Sequence, residues 1–344
     1  MKAVAYDTHG GPEVLRVVDV PDPEPGPVDV VVRVRATAVN RLDIVQRAGW
    51  FTLPGFALPH IAGMDVAGEI ATIGLDVTGL AVGQRVVIDP SMAEVSEKSA
   101  YAHLGDRYGV LGVIGATLDG GYAEQCLVPA SHVHVVPDYV SDIAAAAFPT
   151  SYVTAWHALF ETGGLTAGET VMINGAGSGI SIAAIQFAVR AGARVLANTG
   201  SDEKCERAIS MGAAAVCNNR TTDVAEWIRA HTDGRGVDLV FDHVGPALWD
   251  VSIRSLAIRG RLVCFGNTTG DSVSIPSLGH LFHRGLRIIG SDPYQPTEFA
   301  AAWQSFCDAA LQPVIEATYP LADAGEAQDH LIGGTAFGKI VLTV

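Results

Sequence analysis

The pattern of apolar and polar positions divides the chain into two kinds of sequence. Up to about residue 135, short alternating runs are separated by turns rich in Gly, Pro and Asp, which is typical of strands. The first three such runs are Met1–Tyr6, Leu15–Asp19 and Val28–Ala38. From Ser141 onward, short apolar runs alternate with segments in which apolar residues recur at helical spacing. This alternation predicts a parallel, doubly wound α/β sheet.

The second region carries the clearest predicted elements. Its strands are predicted at Val171–Asn174, Arg194–Asn198, Ala214–Cys217, Val237–Asp242, Gly260–Phe265 and Arg287–Gly290. Its helices are predicted at Ile180–Ala191, Asp202–Met211, Asp223–Thr232, Ala247–Leu256 and Ser277–Arg284. The tail is predicted to hold one helix, Glu298–Leu311, and a last strand, Gly338–Val344, that returns to the first domain.

A glycine-rich turn, Gly175–Gly179, follows the first strand of this region and opens a helix. Glycines let the backbone approach a pyrophosphate, and the helix N-terminus offers unpaired N–H groups to it. A short strand-to-helix connection of any kind can contain such a turn, so the turn alone is weak support. Because the strand before it and the helix after it both agree, the sequence predicts a dinucleotide site here.

Composition restricts the function classes. A length of 344 residues favours two domains, and 49% hydrophobic with 17% charged residues is typical of a well-packed enzyme. The formal net charge of −15 argues against nucleic acid or an anionic membrane as the main partner. Five cysteines without CxxC spacing, and no apolar signal segment, lead us to expect a cytoplasmic protein with reduced thiols.

Nine short motifs follow one another along nearly the whole chain. They are GGPEVL (Gly10–Leu15), VNRLD (Val39–Asp43), GMDVAGEI (Gly63–Ile70), VGQRV (Val82–Val86), DGGYAE (Asp119–Glu124), TSYVTAW (Thr150–Trp156), GSDEK (Gly200–Lys204), DLVFDHVG (Asp238–Gly245) and FGKIVL (Phe337–Leu342). In this order they resemble the medium-chain dehydrogenase/reductase superfamily, and best its zinc-independent quinone oxidoreductase branch.

The resemblance implies a fold and an assembly. Residues 1–142 and 295–344 should form a GroES-like, β-barrel-type catalytic domain, with a Rossmann domain of residues 143–294 inserted between them. The cofactor should lie in the cleft between the two domains. Members of the family often form homodimers by joining Rossmann sheets edge to edge, and Gly260–Gly290 would supply that edge here.

The resemblance also bears on metal. Zinc alcohol dehydrogenases of this superfamily bind zinc through a Cys, the His of a Gly-His-Glu triplet, and a later Cys or Asp. Matching by motif puts Asn40, Met64 and Thr150 at those places, and none of them is a credible zinc ligand. Glu69 is the one carboxylate that this comparison leaves near a metal position.

A second family zinc site uses four cysteines on a lobe that corresponds to Asp89–Gly112. The cysteine positions are occupied here by Ala93, Ser96, Ser99 and Arg107. The sequence therefore predicts no metal at either place.

The cofactor prediction depends on the end of the second Rossmann strand. An NAD-preferring site carries Asp or Glu there, but this strand ends in Asn198-Thr199-Gly200-Ser201. The Ser201 hydroxyl, the N–H groups of the next helix and the Lys204 ammonium suit a 2′-phosphate. Arg220 resembles a family position that adds a third contact, so we predict NADPH.

The resemblance assigns further residues to the cofactor. These are Thr154, Ala176, Gly177, Ser178, Gly179, Ile180, Thr199, His243, Val244, Phe265, Gly266, Asn267 and Lys339. One position departs from the family pattern, because the glycine that closes the family turn is Ser181 in this chain.

The predicted chemistry follows from the missing metal. Without a Lewis acid, hydride transfer needs an acceptor that delocalises its own developing charge, as a small apolar quinone or α,β-unsaturated carbonyl does. Asn40 is the first candidate to donate a hydrogen bond to the acceptor's carbonyl oxygen, Thr150 the second, and Tyr152 a candidate proton donor. The loop Gly49–Pro59 either lines the substrate or packs on its own domain.

Two other functions remain open at this point. One is the reduction of another activated acceptor, such as an iminium ion or an aldehyde in a biosynthetic pathway. The other is nucleotide binding without turnover.

Overall fold

The computed structural model describes residues 1–92, 98–99, 112–275, 277–291 and 294–344. They form two compact units, of which unit 1 comprises Met1–Thr150 and Gln295–Val344 and unit 2 comprises Ser151–Tyr294. The division falls after Thr150, whereas the sequence placed it after residue 142, because helix α2 (Asp142–Ala146) packs against strands of unit 1. Within these ranges, no helix has the length and apolar character needed to cross a membrane.

Unit 1 is built mainly of strands. In its first segment these are β1 (Lys2–Tyr6), β2 (Arg16–Asp19), β3 (Asp29–Ala38), β4 (His60–Ile61), β5 (Asp65–Ile73), β6 (Arg85–Ile88), β7 (Ser91–Met92), β8 (Gly112–Val113), β9 (Gln125–Pro129) and β10 (Val133–Val135). The C-terminal segment adds β17 (Ile315–Pro320) and β18 (Lys339–Thr343). Helices α1 (Arg41–Arg47), α2, α9 (Pro296–Asp308) and α10 (Ala324–Ile332) belong to the same unit, and α3 (Pro149–Trp156) begins in it.

The long strand β3 is the centre of the main sheet of unit 1. The strand order is β10-β6-β5-β3-β18-β17, and β9 also pairs with β3. Smaller sheets join β2-β1-β4 and β7-β8. The last strand, β18, runs antiparallel to β3, which confirms the predicted return of the C-terminus to the first domain. The sequence missed β17 because none of its residues is fully buried, so no buried apolar run marks it.

Two glycines let backbones approach closely near the start of β5. A Cβ atom on Gly68 would collide with the carbonyl oxygen of Arg33 on β3. Gly63 has φ +104°, and a Cβ there would meet the ring and backbone of Tyr122. Both positions therefore require glycine, one for space and the other also for its backbone conformation.

Unit 2 is a parallel sheet with helices between its strands. The strands are β11 (Thr170–Ile173), β12 (Arg194–Thr199), β13 (Ala215–Asn218), β14 (Val237–Asp242), β15 (Leu256–Cys264) and β16 (Arg287–Gly290). The helices are most of α3, then α4 (Gly179–Arg190), α5 (Asp202–Ser210), α6 (Val224–His231), α7 (Pro246–Ser255) and α8 (Leu278–His283). Helix α3 continues into a π-helical segment, His157–Glu161.

The strand order of unit 2 confirms the Rossmann-type fold class. The described strands pair in parallel in the order β13-β12-β11-β14-β15-β16, which is the doubly wound dinucleotide-binding arrangement. Met172 of β11 lies between Leu196 of β12 and Val240 of β14, and all three side chains are fully buried. The loops that follow these three strands therefore meet at one edge of the sheet.

We predict that Gly68→Ala destabilises the protein by about 1–3 kcal/mol, because the added methyl group must displace a β3 carbonyl rather than a flexible side chain. The midpoint of urea unfolding measures this loss. Gly279→Ala in helix α8 is the control, since a Cβ there meets nothing closer than 3.6 Å, and its midpoint should not fall. Equal midpoints for Gly68→Ala and the parent chain would contradict the close approach of β5 and β3.

Candidate functional site

In unit 1, polar side chains gather around the ammonium group of Lys339. Lys339 Nζ donates to Asn40 Oδ1 at 2.7 Å, to Asp65 Oδ2 at 2.9 Å and to the main-chain oxygen of Val39 at 3.2 Å. The side chains of Lys339 and Asp65 are 6% and 0% exposed. A lysine ammonium has three N–H donors, so each donor of Lys339 has an acceptor within unit 1.

The register of three neighbouring strands places this cluster. Ala38 of β3 pairs with Asp65 of β5 on one side and with Val341 of β18 on the other. Val39 N donates to Ile340 O at 2.9 Å, which continues the β3–β18 pairing toward Asn40 and Lys339. The side chains meet because the strands are in register, although 274 residues separate Lys339 from Asp65 in sequence.

Asp65 is also held by Thr150. The main-chain N and the Oγ1 of Thr150 donate to Asp65 Oδ1 at 2.8 and 2.5 Å. One carboxylate oxygen therefore faces Thr150 and the other faces Lys339. The structure thus brings together two predicted site residues, Asn40 and Thr150, through Lys339 and Asp65.

Sequence reasoning missed Asp65 and pointed to Glu69 instead. Glu69 lies on the same strand, but its carboxylate pairs with Arg35 at 3.0 Å and is partly exposed, and Arg35 lowers its pKa. The signal for Asp65 was present, because it is the third residue of the Gly63-Met64-Asp65 triplet that matches Gly-His-Glu. The carboxylate position of that triplet is kept in this chain although its histidine is not.

A second carboxylate supports Asn40 from behind. Asn40 is the N-cap of α1, and its main-chain N donates to Asp43 Oδ2 at 2.7 Å. Tyr122 Oη lies 3.4 Å from the same oxygen. Complete burial raises the pKa of Asp43 to about 7, against the opposing effect of the Asn40 hydrogen bond. The backbone of Asn40 is therefore fixed on one side and its amide on the other.

The donor set does not fit zinc. Asn40 and Thr150 are committed to Lys339 and Asp65, and Met64 offers only a weak thioether ligand. Among the residues that the structure describes, no three His, Cys, Asp or Glu side chains are grouped as metal ligands. Of the predicted lobe positions, Ser99 is described and buried, while Ala93, Ser96 and Arg107 lie outside the described residues.

In unit 2, the glycine turn is tied to the end of β14 by hydroxyl groups. Ser178 caps α4, and its Oγ accepts from Ser181 N at 3.2 Å. Ser181 Oγ donates to Asn174 O at 2.8 Å, and His243 Nε2 lies 3.1 Å from both hydroxyls. Because the Ser181 hydrogen is used on Asn174, the contact with His243 assigns a hydrogen to Nε2. The serine at the family's closing-glycine position thus joins the turn to His243.

A buried ladder of amides crosses the strand ends beneath this turn. Asn219 Nδ2 donates to Asn198 Oδ1 at 2.9 Å, Asn198 Nδ2 to Asn174 Oδ1 at 2.6 Å, and Asn174 Nδ2 to Asp242 Oδ1 at 2.9 Å. Burial raises the pKa of Asp242 above its usual range. Asn198 ends β12 with its amide turned inward, where an NAD-preferring strand would present a carboxylate.

Basic and hydroxyl groups lie where that carboxylate is missing. Ser201 caps α5, and its Oγ accepts from Lys204 N at 3.3 Å. A Cβ built on Gly177 would lie 3.0 Å from Lys204 Cδ, and one built on Gly200 would lie 3.1 Å from Arg220 Nε. Lys204 therefore passes over the glycine turn, and Arg220 lies beside the end of β12.

The Asp202 carboxylate, next to Ser201 in sequence, has a hydrogen-bond partner on β13. Asp202 Oδ1 accepts from Asn218 Nδ2 at 2.8 Å. The Ser201, Lys204 and Arg220 side chains thus lie at the same strand end.

The other predicted cofactor residues of unit 2 differ in their contacts and in their exposure. Ala176 N donates to Asn198 O at 2.9 Å, which fixes the turn. The Phe265 ring packs 4.4 Å from Phe241, and Asn267 Nδ2 donates to Asp271 at 3.0 Å. Thr199 is buried, whereas Thr154, Ile180, Val244 and Gly266 are partly exposed.

Two aromatic predictions fare differently. Tyr152 is 1% exposed, its hydroxyl donates to Gln186 Oε1 at 2.7 Å, and burial raises its pKa far above the usual range. Tyr152 is thus part of the core, and its hydroxyl hydrogen is used on Gln186. In the loop Gly49–Pro59, Phe56 packs against His9 and His60 of its own unit, while Trp50 and Phe51 are exposed.

Comparison with known proteins identifies families and relatives to which this chain is similar. The family described as "Alcohol dehydrogenase GroES-like domain" matches residues 26–138, and the family described as "Zinc-binding dehydrogenase" matches residues 179–307. A quinone oxidoreductase of Pseudomonas aeruginosa is 32% identical over 350 residues, which covers 99% of both chains. An acryloyl-coenzyme A reductase of Sulfurisphaera tokodaii is 27% identical over 346 residues, again covering 99% of both.

A solved structure described as an NAD-dependent alcohol dehydrogenase is 35% identical, covers 100% of both chains and superposes with a TM-score of 0.91. Together these matches identify an oxidoreductase whose cofactor class is a pyridine nucleotide. The two described families cover the two units in the order that the sequence motifs predicted. The chain therefore belongs to the medium-chain dehydrogenase/reductase superfamily and is related to its quinone oxidoreductases.

Proposed function

We propose that this protein transfers a hydride from NADPH to a quinone or an α,β-unsaturated carbonyl compound, without a metal ion. The observation that carries the proposal is the Lys339 cluster. At the place where zinc enzymes of the superfamily hold their metal, this chain has a buried lysine–aspartate pair joined to Asn40 and Thr150. These groups donate and accept hydrogen bonds, and they offer no Lewis acid.

This donor set limits the acceptor. A plain ketone needs strong polarisation of its oxygen during hydride addition, whereas a conjugated acceptor spreads the developing charge over its own π system. A quinone and an acryloyl thioester, which the names of two relatives indicate as their substrates, are both conjugated carbonyl compounds. The likeness to these relatives supports the same acceptor class here.

NADPH, when bound, supplies the hydride; the protein's task is orientation and hydrogen bonding. Asn40 Nδ2 is proposed to donate to the carbonyl oxygen of the acceptor as negative charge develops there. Thr150, which is partly exposed beside Asp65, is proposed to border the acceptor. Water can supply the proton that completes the reduction, so no acidic side chain is required.

The proposed preference for NADPH is based on the residues around the end of β12. Asn198 is turned into the amide ladder, Asp202 is bound to Asn218, and Lys204 and Arg220 extend past the glycines. A phosphate group is best bound by such a combination of cations, a hydroxyl and helix N–H groups. Because a similar solved structure is described as NAD-dependent, the two cofactors are compared directly.

We expect Lys204→Met to weaken NADPH binding by about 10- to 100-fold, the effect of one charge-assisted hydrogen bond. NADH, which lacks the 2′-phosphate, should lose less than about 2-fold. Fluorescence titration of both cofactors measures the two dissociation constants. Lys2→Met, which removes an exposed lysine paired with Asp19, is the control. Equal losses for the two cofactors would refute the phosphate contact.

We expect Asn40→Ala to lower kcat for a conjugated acceptor by about 100-fold, because one donor to the developing oxyanion is lost. The dissociation constant of NADPH should be the same in this variant as in the parent chain. The rate of the parent chain should be the same with and without EDTA. Glu69→Gln, on the neighbouring strand, is the control with wild-type kcat. Unchanged kcat in Asn40→Ala, or turnover of plain aldehydes or iminium ions with no reduction of conjugated acceptors, would contradict the proposed reaction.

We also propose that two copies of the chain form a homodimer through unit 2. Strand β16 pairs only with β15 among the described strands, so its other edge is open. Leu278 and Phe282 on α8 and Ile258 on β15 are each more than two-thirds exposed. An open strand edge with exposed apolar side chains nearby is suited to pair with an identical edge.

Sedimentation velocity tests the dimer. The parent chain should sediment with twice the monomer mass of 35.9 kDa, and Phe282→Glu should shift it toward the monomer by placing a charge among apolar contacts. Leu75→Glu, at a 97% exposed position of unit 1, should remain dimeric. A parent chain that is monomeric at micromolar concentration would contradict the proposal.

A further inference from the structure

We infer that Lys339 is a positioning residue that fixes the direction of the Asn40 amide, an inference that rests on the proposed function of Asn40 as hydrogen-bond donor. The resemblance assigns this lysine to the cofactor. In the structure, its three N–H donors are used on Asn40 Oδ1, Asp65 Oδ2 and Val39 O. The geometry therefore points to a partner inside unit 1.

The chemistry of the two side chains decides the direction of the amide. An asparagine amide has an acceptor end and a donor end, and a lysine ammonium can only donate. The amide atom 2.7 Å from Lys339 Nζ is therefore the oxygen, and Nδ2, which faces away from the ammonium, donates one hydrogen to the main-chain oxygen of Ala38 at 3.4 Å and keeps the other. A flipped amide would set N–H groups against a buried positive charge and would lose a charge-assisted hydrogen bond.

Acceptors within unit 1, rather than water, hold the ammonium of Lys339 in place. Thr150 occupies Asp65 Oδ1 through its main-chain N and its hydroxyl, so that Oδ2 faces Lys339. The main-chain oxygen of Val39, the residue before Asn40, accepts the remaining N–H of Lys339. The lysine thus contacts both the backbone next to Asn40 and the amide end of its side chain.

Asp43 completes the constraint from the other side. It accepts the main-chain N–H of Asn40 at 2.7 Å in a fully buried position. With the backbone held by Asp43 and Oδ1 held by Lys339, the side chain of Asn40 has one favourable orientation. Lys339 therefore fixes the direction of the amide, as a metal ion fixes the direction of its ligands. Lys339 takes no part in a covalent or redox step.

A mutant cycle on kcat tests the inference. Lys339→Met alone would leave Asp65 buried and unpaired, so it is combined with Asp65→Asn, which removes both charges together. This charge-removal pair is measured in the parent chain and in the Asn40→Ala variant. Residues that act through one another give effects that do not multiply.

We expect the charge-removal pair to lower kcat by about 10-fold in the parent chain and to have no further effect in Asn40→Ala. Thermal unfolding of each variant establishes that it is folded. NADPH affinity should be unchanged by the pair, because Lys339 is assigned to Asn40 and not to the cofactor. Lys339→Arg, which keeps a donor for Asn40, should recover more kcat than the charge-removal pair.

Three outcomes would overturn the inference while leaving the donor role of Asn40 intact. They are wild-type kcat in the charge-removal pair, effects that multiply to about 1000-fold in the triple variant, and a loss of NADPH affinity with unchanged kcat. Wild-type kcat in Asn40→Ala would instead remove the proposed function of Asn40, and the inference with it.

Discussion

The buried ion pair between Lys339 and Asp65 is the interaction on which the rest of unit 1 depends. Burying two opposite charges is unfavourable unless each is paired and hydrogen-bonded. Here Lys339 has three acceptors and Asp65 has three donors, two of them from Thr150. That arrangement requires β3, β5 and β18 to keep their register, so the proposed catalytic geometry and the fold depend on the same strand pairing.

In both units, hydrogen bonds to neighbouring polar groups orient the buried polar side chains. In unit 2, Asn174, Asn198 and Asp242 form a ladder that is fully buried, and each amide is oriented by the next. The hydroxyls of Ser178 and Ser181 then join the glycine turn to His243. A serine at a position where the family has glycine is tolerated because its hydroxyl finds a carbonyl, Asn174 O, to which it donates.

Much of this architecture could be predicted from sequence because local patterns of apolar and polar residues indicate its strands and helices. The alternation of apolar runs with helical periodicity predicted the sheet of unit 2, and the last apolar run, Gly338–Val344, predicted the return of β18. The features that sequence did not reveal are contacts between distant segments. Asp65 was overlooked because its partner is 274 residues away, and Tyr152 was proposed as a donor because its helix alone does not reveal which face is buried. The position of the first domain limit likewise depends on a distant contact, since α2 packs against strands of unit 1.

The most direct test of the account is the state of the Lys339 side chain in solution. The sequence contains four lysines, Lys2, Lys98, Lys204 and Lys339, so ¹⁵N-lysine labelling gives a spectrum that can be assigned by substitution. Lys2 and Lys98 are more than half exposed and should exchange their ammonium protons rapidly with water. We expect an ammonium signal that exchanges slowly at neutral pH and disappears in the Lys339→Met/Asp65→Asn variant. A neutral amine at Lys339, or an ammonium that exchanges as fast as that of Lys2, would contradict it.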